Sequence, residues 1–413
     1  MKRLRIAVFH NLPSGGAKRA LHNFMRLLDE MGHHLDLYNL TTSEEEFLPV
    51  AVFAKQVFTT DFRWWEPRPR ANIVVRLVNL RRLATICRTI AERIDDNNYD
   101  LAFVHHCRFV QSPLLLSYLR TPSVYYCQEP LRRLYEPPLP QYQSAQPVSS
   151  SRRVYRRYAL PLADRIHDWI LKTLERRNVR AASVILTNSC YSRETLYRVF
   201  QVVARVNYLG VDCRTFRPID VDKEDFVVSV GALHPTKAHD FVIRALSLVP
   251  EQIRPTMVLV ADRGGEARGY LEAYAANHGV DLQIMIGVSD ERLVDLYNRA
   301  KAMVCAPLLE PFGLVALEAM ACGTPVVGVK EAGIRETVRS GETGMLTERN
   351  EEEFAEAIEG LLCDATTLRA MGHQARGYVC RDWTWERSAE ELAANFRRAV
   401  DFAPRSLQTT TTR

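Results

Sequence analysis

Two glutamates eight residues apart, Glu310 and Glu318, stand in the chemically richest stretch of the chain, APLLEPFGLVALEAMACGTPVVGVKEAGIRETVRSGETG at 306–344. A strand ending near Ala306 leads into a loop carrying Glu310-Pro311. The pattern then predicts a helix from Phe312-Gly313 to Cys322-Gly323, with glycine as a left-handed stop and Pro325 beyond it. In open α/β sheets, ligands sit outside the carboxyl ends of strands, where a helix N-terminus offers free N–H groups and about half a positive charge. A phosphate suits that position. At ~1.5 Å per helical residue the two carboxylates lie on the order of 10 Å apart, so one can hold a sugar and the other a ribose with a diphosphate between them.

The elements that must position these groups follow one rhythm. LRIAVFHNLPSGGAKRALHNFMRLLDEMGH reads as a buried strand, a Gly15-Gly16 turn and a helix with Leu21, Phe24, Met25 and Leu28 on one face. Short apolar strands then alternate with helices, at 100–105, 123–127, 183–187, 226–230, 255–261, 282–286, 302–306 and 325–329. That alternation predicts an α/β protein with doubly wound parallel sheets. At 413 residues two domains are expected. Their bounds are read as 1–208, a linker at 209–224 where composition turns acidic, 225–382, a helix at 383–400, and a disordered tail at 401–413. Residues 136–158, with four prolines and a serine run, read as a long mobile loop.

With 47% hydrophobic and 25% charged residues, the composition excludes disordered, collagenous and disulfide-miniprotein classes. The net charge of +5 is unevenly divided: residues 1–200 hold 30 Lys+Arg against 18 Asp+Glu (+12), leaving 24 against 31 (−7) for the rest. Nine scattered cysteines, odd in number and without a Cys-x-x-Cys pair, suggest a reducing, cytoplasmic setting. No apolar run is long enough to span a bilayer, and the apolar N-terminal run ends at His10-Asn11 with no cleavage site.

Asp220-Val221-Asp222 imitates a metal-binding Asp-x-Asp but lies in the acidic linker, and His105-His106-Cys107 lacks a partner pair at ligand spacing, so no metal is expected. The arginine-rich segment 73–94 keeps apolar residues at helical spacing and reads as an ordinary packing helix. The tryptophans of FRWWEPRPR and the basic RRVYRR at 152–157 are better candidates for peripheral contact with an anionic inner membrane face. Nucleic acid is not an expected partner, since no base-stacking motif accompanies the arginines.

The Glu-x7-Glu pair within EPFGLVALEAMACGTPVV, followed by Gly333, Glu336, Gly341 and Gly344, resembles the donor-site signature of retaining GT-B glycosyltransferases, the family-4 type that includes glycogen synthases and mannosyltransferases. The resemblance extends to the N-terminal Gly-rich loop, TNSCYSRETL at 187–196, YLGVDCRTFRP at 208–218, SVGALHPTK at 229–237 and ADRGG at 261–265. It implies two Rossmann-like domains facing a central cleft, with a nucleotide-sugar donor on the second and a lipid-linked or glycan acceptor on the first. It further implies that Glu310 holds the donor sugar, Glu318 the ribose and Lys237 the diphosphate. The backbone of Phe312, Gly313, Leu314 and Val315 would meet sugar and phosphates, with Gly15-Gly16 closing over them. Gly231 precedes the lysine loop, and Gly287-Val288 falls where the nucleobase is seated.

Two positions depart from the family pattern. Ala232 replaces an arginine usual before the lysine, and Arg263 is a candidate substitute. Gln128 replaces a histidine near the anomeric carbon, with Glu129, His105 and His106 as nearby polar groups. The expected reaction is retaining, without a nucleophile, cofactor or metal. A degenerate partner subunit is the alternative. A nicotinamide-dependent oxidoreductase fails on the missing Gly-x-Gly-x-x-Gly.

Overall fold

The computed structural model describes residues 3–68, 72–137, 139, 142 and 159–401. Most of the loop read at 136–158, including RRVYRR, and the tail after 401 lie outside the described residues. The first sheet has strands β1 (Arg5–Asn11), β2 (His34–Leu40), β3 (Gln56–Thr60), β4 (Leu101–Cys107), β5 (Ser123–Tyr126), β6 (Val184–Thr187) and β7 (Arg205–Val206). They run parallel in the order β3-β2-β1-β4-β5-β6-β7, with Val8 opposite both Leu37 and Phe103. Its helices are α1 (Gly16–Glu30), α2 (Ile73–Asp96), α3 (Ala159–Ala181) and α4 (Cys190–Phe200).

The second sheet is also parallel, in the order β10-β9-β8-β11-β12-β13. Its strands are β8 (Glu224–Val230), β9 (Thr256–Ala261), β10 (Leu282–Ile286), β11 (Ala300–Cys305), β12 (Val326–Val329) and β13 (Gly344–Thr347). Its helices are α5 (His239–Leu248), α6 (Glu266–Asn277), α7 (Asp290–Arg299), α8 (Leu314–Ala321), α9 (Ile334–Thr337), α10 (Glu351–Cys363) and α11 (Ala365–Asp382). Each sheet reverses its winding beside its first strand, which opens a crevice at the carboxyl ends of the strands. The α/β doubly wound reading therefore holds for both halves.

A last helix, α12 (Trp385–Asp401), packs on the first sheet's helix α1. Its strong apolar stripe explains why: Trp385 meets Phe24 edge-on at 5.5 Å and Phe396 meets Phe103 at 5.0 Å between ring centres, all of them buried. A second tie comes from Glu336 on α9. Its carboxylate accepts the Cys190 and Tyr191 N–H groups, both at 2.9 Å, and the Tyr208 hydroxyl at 3.0 Å. A residue of one domain thus caps helix α4 of the other, where an anionic side chain meets unpaired amides.

One pair of the scattered cysteines departs from what a reducing setting leads one to expect. Cys213 in the linker and Cys380 near the end of α11 form a disulfide, with Cα atoms 6.0 Å apart across a separation of 167 residues. The return of the chain towards the first domain brings the linker alongside α11, where Arg376 also donates to the Cys213 and Phe216 carbonyls. No sequence spacing signals such a pair.

Phe396→Ala empties a buried aromatic position, so a loss of about 3–5 kcal/mol is expected in the stability of the first domain. Urea unfolding followed by tryptophan fluorescence checks this, and an unchanged first transition contradicts the packing role given to α12.

Candidate functional site

The site grows from the loop after β11. Gly313 caps α8 with φ +94, a left-handed conformation that favours glycine, and a Cβ there would push against Ile334 Cδ1 at 2.5 Å. Gly333 N–H donates to the Glu310 carbonyl at 2.8 Å and braces the loop. Phe312 turns its buried ring towards Trp383 and Tyr208, leaving only its backbone to the cleft. No side chain caps α8 among the described residues.

Lys237 comes from the short turn Pro235–Lys237 after β8, and its Nζ lies 2.6 Å from Glu310 Oε2. Gly231 permits that approach, since a Cβ there would stand 3.2 Å from Lys237 Cγ. Burial disfavours the ammonium, but Glu310, with help from Glu129, outweighs it and holds the lysine pKa above its ordinary value. Lysine and glutamate line a small open recess together with His239, Cys305, Val315 and Ile334. His239 was not anticipated. It is buried, its Nε2 sits 3.1 Å from the Ala232 carbonyl, and burial lowers its pKa to about 4, so it braces the loop as a neutral ring.

Glu318 is buried one turn into α8, and burial pushes its pKa up to about 7 despite Arg19. Tyr297 donates to its Oε2 at 3.4 Å, and Arg19 Nε lies 3.8 Å from its Oε1. Arg19 belongs to α1 in the other domain and also grips Asp290 bidentately, at 2.7 and 2.9 Å. Burial opposes its charge, but the Asp290 bonds and Glu318 hold it firmly protonated. Neither Arg19 nor Asp290 was singled out from sequence; a helical arginine and a residue in a helix's first turn carry no local signal of a partner 271 positions away.

The Gly15-Gly16 turn starts α1, which also has no side-chain cap. A Cβ on Gly16 would lie 3.7 Å from Leu314 Cδ1, so the N-termini of α1 and α8 approach each other across the cleft. Two uncapped N-termini turned towards one region concentrate positive potential there. Arg263, after β9, reaches Ser14 Oγ at 3.4 Å, beside the glycine turn. Gly287 has φ +64 and donates to the Ala261 carbonyl at 2.8 Å just beyond the carboxyl end of β10, and Val288 beside it packs partly buried against the core.

From the first domain, the loop after β5 carries Gln128 and Glu129. The Gln128 N–H donates to His106 Nε2 at 3.1 Å, while its side-chain Nε2 is buried with no partner among the described residues. Burial raises the Glu129 pKa to about 7, opposed by Arg132 and Lys237 and reinforced by Glu310, so this carboxyl faces the lysine–glutamate pair electrostatically. Arg132 extends from the same loop to the Leu308 carbonyl at 2.8 Å. His105 is stacked on Tyr126 at 5.5 Å and packed on Phe103, buried and held neutral. Among the described residues no group of three His, Cys, Asp or Glu side chains is disposed to hold a metal ion.

Two parallel α/β domains whose strand ends face each other, with a lysine–glutamate pair and opposed helix N-termini between them, define the GT-B class of transferase folds. Comparison narrows the class. Residues 14–215 match the model described as Glycosyltransferase Family 4, and residues 215–378 match Glycosyl transferases group 1. With these two models in tandem over most of its length, the chain belongs to glycosyltransferase family 4. It is 34% identical over 225 residues to a D-inositol 3-phosphate glycosyltransferase of Rhodococcus erythropolis, a match covering 48% of this chain and 51% of that protein. The chain thus spans about half the length of the curated relatives it matches. Among solved structures, sucrose-phosphate synthase from Thermosynechococcus elongatus superposes with a TM-score of 0.71 at 19% identity, covering 96% of this chain and 99% of that one. Anabaena HepE in complex with UDP and glucose gives 0.69 at 18%, covering 96% and 100%.

Because Glu318 holds its proton more tightly when folded, its contribution to stability is full below its ordinary pKa of 4.5 and is lost as pH rises through about 7. Glu318→Gln should therefore flatten the fall in unfolding free energy between pH 5 and pH 8, by about 1–3 kcal/mol at the alkaline end. Differential scanning calorimetry across that range measures it; parallel curves for the two proteins contradict the assignment.

Proposed function

We propose that the protein is a retaining, metal-independent glycosyltransferase that moves a sugar from a nucleotide-diphosphate sugar to a lipid-linked or glycan acceptor at the inner membrane face. The single observation that carries this reading is the meeting of the α1 and α8 N-termini between the Lys237–Glu310 pair and the buried carboxylate of Glu318. Backbone amides take the diphosphate, Glu310 the sugar hydroxyls and Glu318 the ribose. A donor carrying UDP is favoured over GDP because solved relatives of the same fold bind UDP by their descriptions. The named relatives favour a second acceptor reading, an inositol phosphate, which the same half-site would take.

A nucleoside diphosphate leaves readily, so the protein's task is to orient the partners and to neutralise the departing charge. Lys237, kept protonated by Glu310, and the α8 amides do the second. The bond from the anomeric carbon to the diphosphate oxygen breaks, the acceptor oxygen bonds on the same face, and the departing phosphate oxygen takes the acceptor's proton. Gln128 supplies its unpaired amide as a donor to the sugar, a role that needs hydrogen bonding but no proton exchange. Arg263 takes the phosphate contact that Ala232 cannot make.

With a panel of UDP, GDP and ADP sugars, Glu310→Ala should lower kcat/KM by about 100-fold or more. The product's anomeric configuration, read by NMR, should match the donor's. An inverted product, or a variant as active as the parent, refutes the mechanism. Since ribose hydroxyls donate to an ionised Glu318, UDP affinity measured by calorimetry should rise between pH 6 and pH 8. Glu318→Gln should bind more weakly and without that slope.

A further inference from the structure

The first domain exposes a set of large apolar side chains that its core does not use. They sit on two neighbouring helices joined by the Arg76–Asp164 ion pair at 2.6 Å. On α3, Leu162, Ile166 and Trp169 follow one another at helical spacing, with Leu162 61% and Trp169 69% exposed. On α2, Val74 and Leu77 do the same, and Trp65 stands beside them under the Arg82 guanidinium at 3.9 Å. The inner face of α2 packs normally through Leu80, Leu83, Cys87 and Ile90. The expectation of an ordinary packing helix therefore holds for its inner face, and Val74 and Leu77 lie exposed, outside that face.

Further along the same exposed faces the residues become basic: Arg81 and Arg88 on α2, and Lys172, Arg176 and Arg180 on α3. Among the described residues none of these five pairs with a carboxylate; Arg176 and Arg180 donate to the Val199 and Phe200 carbonyls, and Arg88 and Lys172 lie over the Tyr118 and Tyr135 rings, so their charge stays uncompensated. An exposed apolar patch backed by unneutralised cations is what a negatively charged bilayer accommodates, the apolar groups entering the interface while the long basic chains stay at phosphate level.

The topology fixes where this surface lies. Crossover helices run antiparallel to the strands they join, so the first turns of α2 and α3 lie at the carboxyl edge of the sheet. Gln128 and Glu129 lie at that edge too. Moreover, the loop that carries them is tied to α3, by Leu131 N–H to Glu175 at 2.9 Å and by Arg133 to Asp168 at 2.5 Å. We propose that the exposed faces of α2 and α3 are a docking surface for an anionic lipid bilayer, set beside the mouth of the cleft so that a membrane-held acceptor enters it directly. Only the clause about the acceptor rests on the transfer reading; the surface itself does not.

The test uses the full chain with sedimenting vesicles of phosphatidylcholine alone or containing about a third phosphatidylglycerol. The expected result is binding to the anionic vesicles only, weakened by salt. Leu162→Ser/Ile166→Ser/Trp169→Ser should reduce that binding about tenfold or more while leaving the melting temperature and UDP affinity unchanged, because these side chains are exposed. Arg81→Gln/Lys172→Gln/Arg176→Gln should weaken binding and flatten its salt dependence. Equal binding to neutral vesicles, or parental binding by the apolar variant, overturns the proposal. A concentration-dependent dimer in analytical ultracentrifugation that the apolar variant abolishes also overturns it, since the face then belongs to a second copy. Vesicle binding without sugar transfer would sink only the transfer reading, and transfer without vesicle binding only this one.

Discussion

Two parallel sheets that point the carboxyl ends of their strands at one another must bring charged groups out of water on both sides of a narrow cleft. An isolated buried charge is costly, so each one here is matched across or along that cleft. Lys237 is held by Glu310, and Arg19 bridges the gap to Asp290 and Glu318. Glu336 reaches the other way to the amides of α4. The relative placement of the domains is therefore an electrostatic solution as much as a packing one. The acidic balance of the second half leaves the opposed α1 and α8 N-termini as a main source of positive potential between the domains.

The same logic assigns different tasks to chemically similar residues. Glu310 is ion-paired, whereas Glu318 and Glu129 are lifted by burial towards neutrality near pH 7. Histidines at the strand ends are kept neutral by burial and serve as fixed acceptors or stacking partners, as His106 does for the Gln128 amide. Gln128, where the family resemblance leads one to expect a histidine, thus has its backbone oriented by a histidine from the neighbouring strand.

Much of this was legible from local pattern. The stretch from Cys305 to Val329 reads as strand, loop, helix and strand because glycine and proline punctuate it at both ends of α8. Strands β2, β3 and β13 were missed for physical reasons. In β2 the buried Asp36 and Asn39 break the apolar run, and their partners, Tyr99 for Asp36 and Thr59 for Asn39, come from elsewhere in the fold. At β3 and β13, edge position and short length leave little hydrophobic signal. Arg19, Asp290 and the Cys213–Cys380 pair were invisible, and Glu336 stood out only as part of a motif, not as a cap on α4, because each acts on a partner more than 100 residues away. Long-range pairing of this kind leaves no periodicity in a single chain. The α2 and α3 surfaces were half legible: the arginines showed in composition, but which turns stay uncovered depends on the three-dimensional packing.

The return of α12 to the first domain has a consequence for biosynthesis. The core that begins with Phe24 and Phe103 is completed by Trp385 and Phe396, so the first domain to leave the ribosome is the last to be finished. The second domain, contained within one continuous stretch, can close on itself while the first still exposes an unfilled apolar groove along α1. Until residue 396 has been translated, that groove must be shielded by chaperones or left as a site of misassembly. The order in which the two halves mature is thereby the reverse of the order in which they are made.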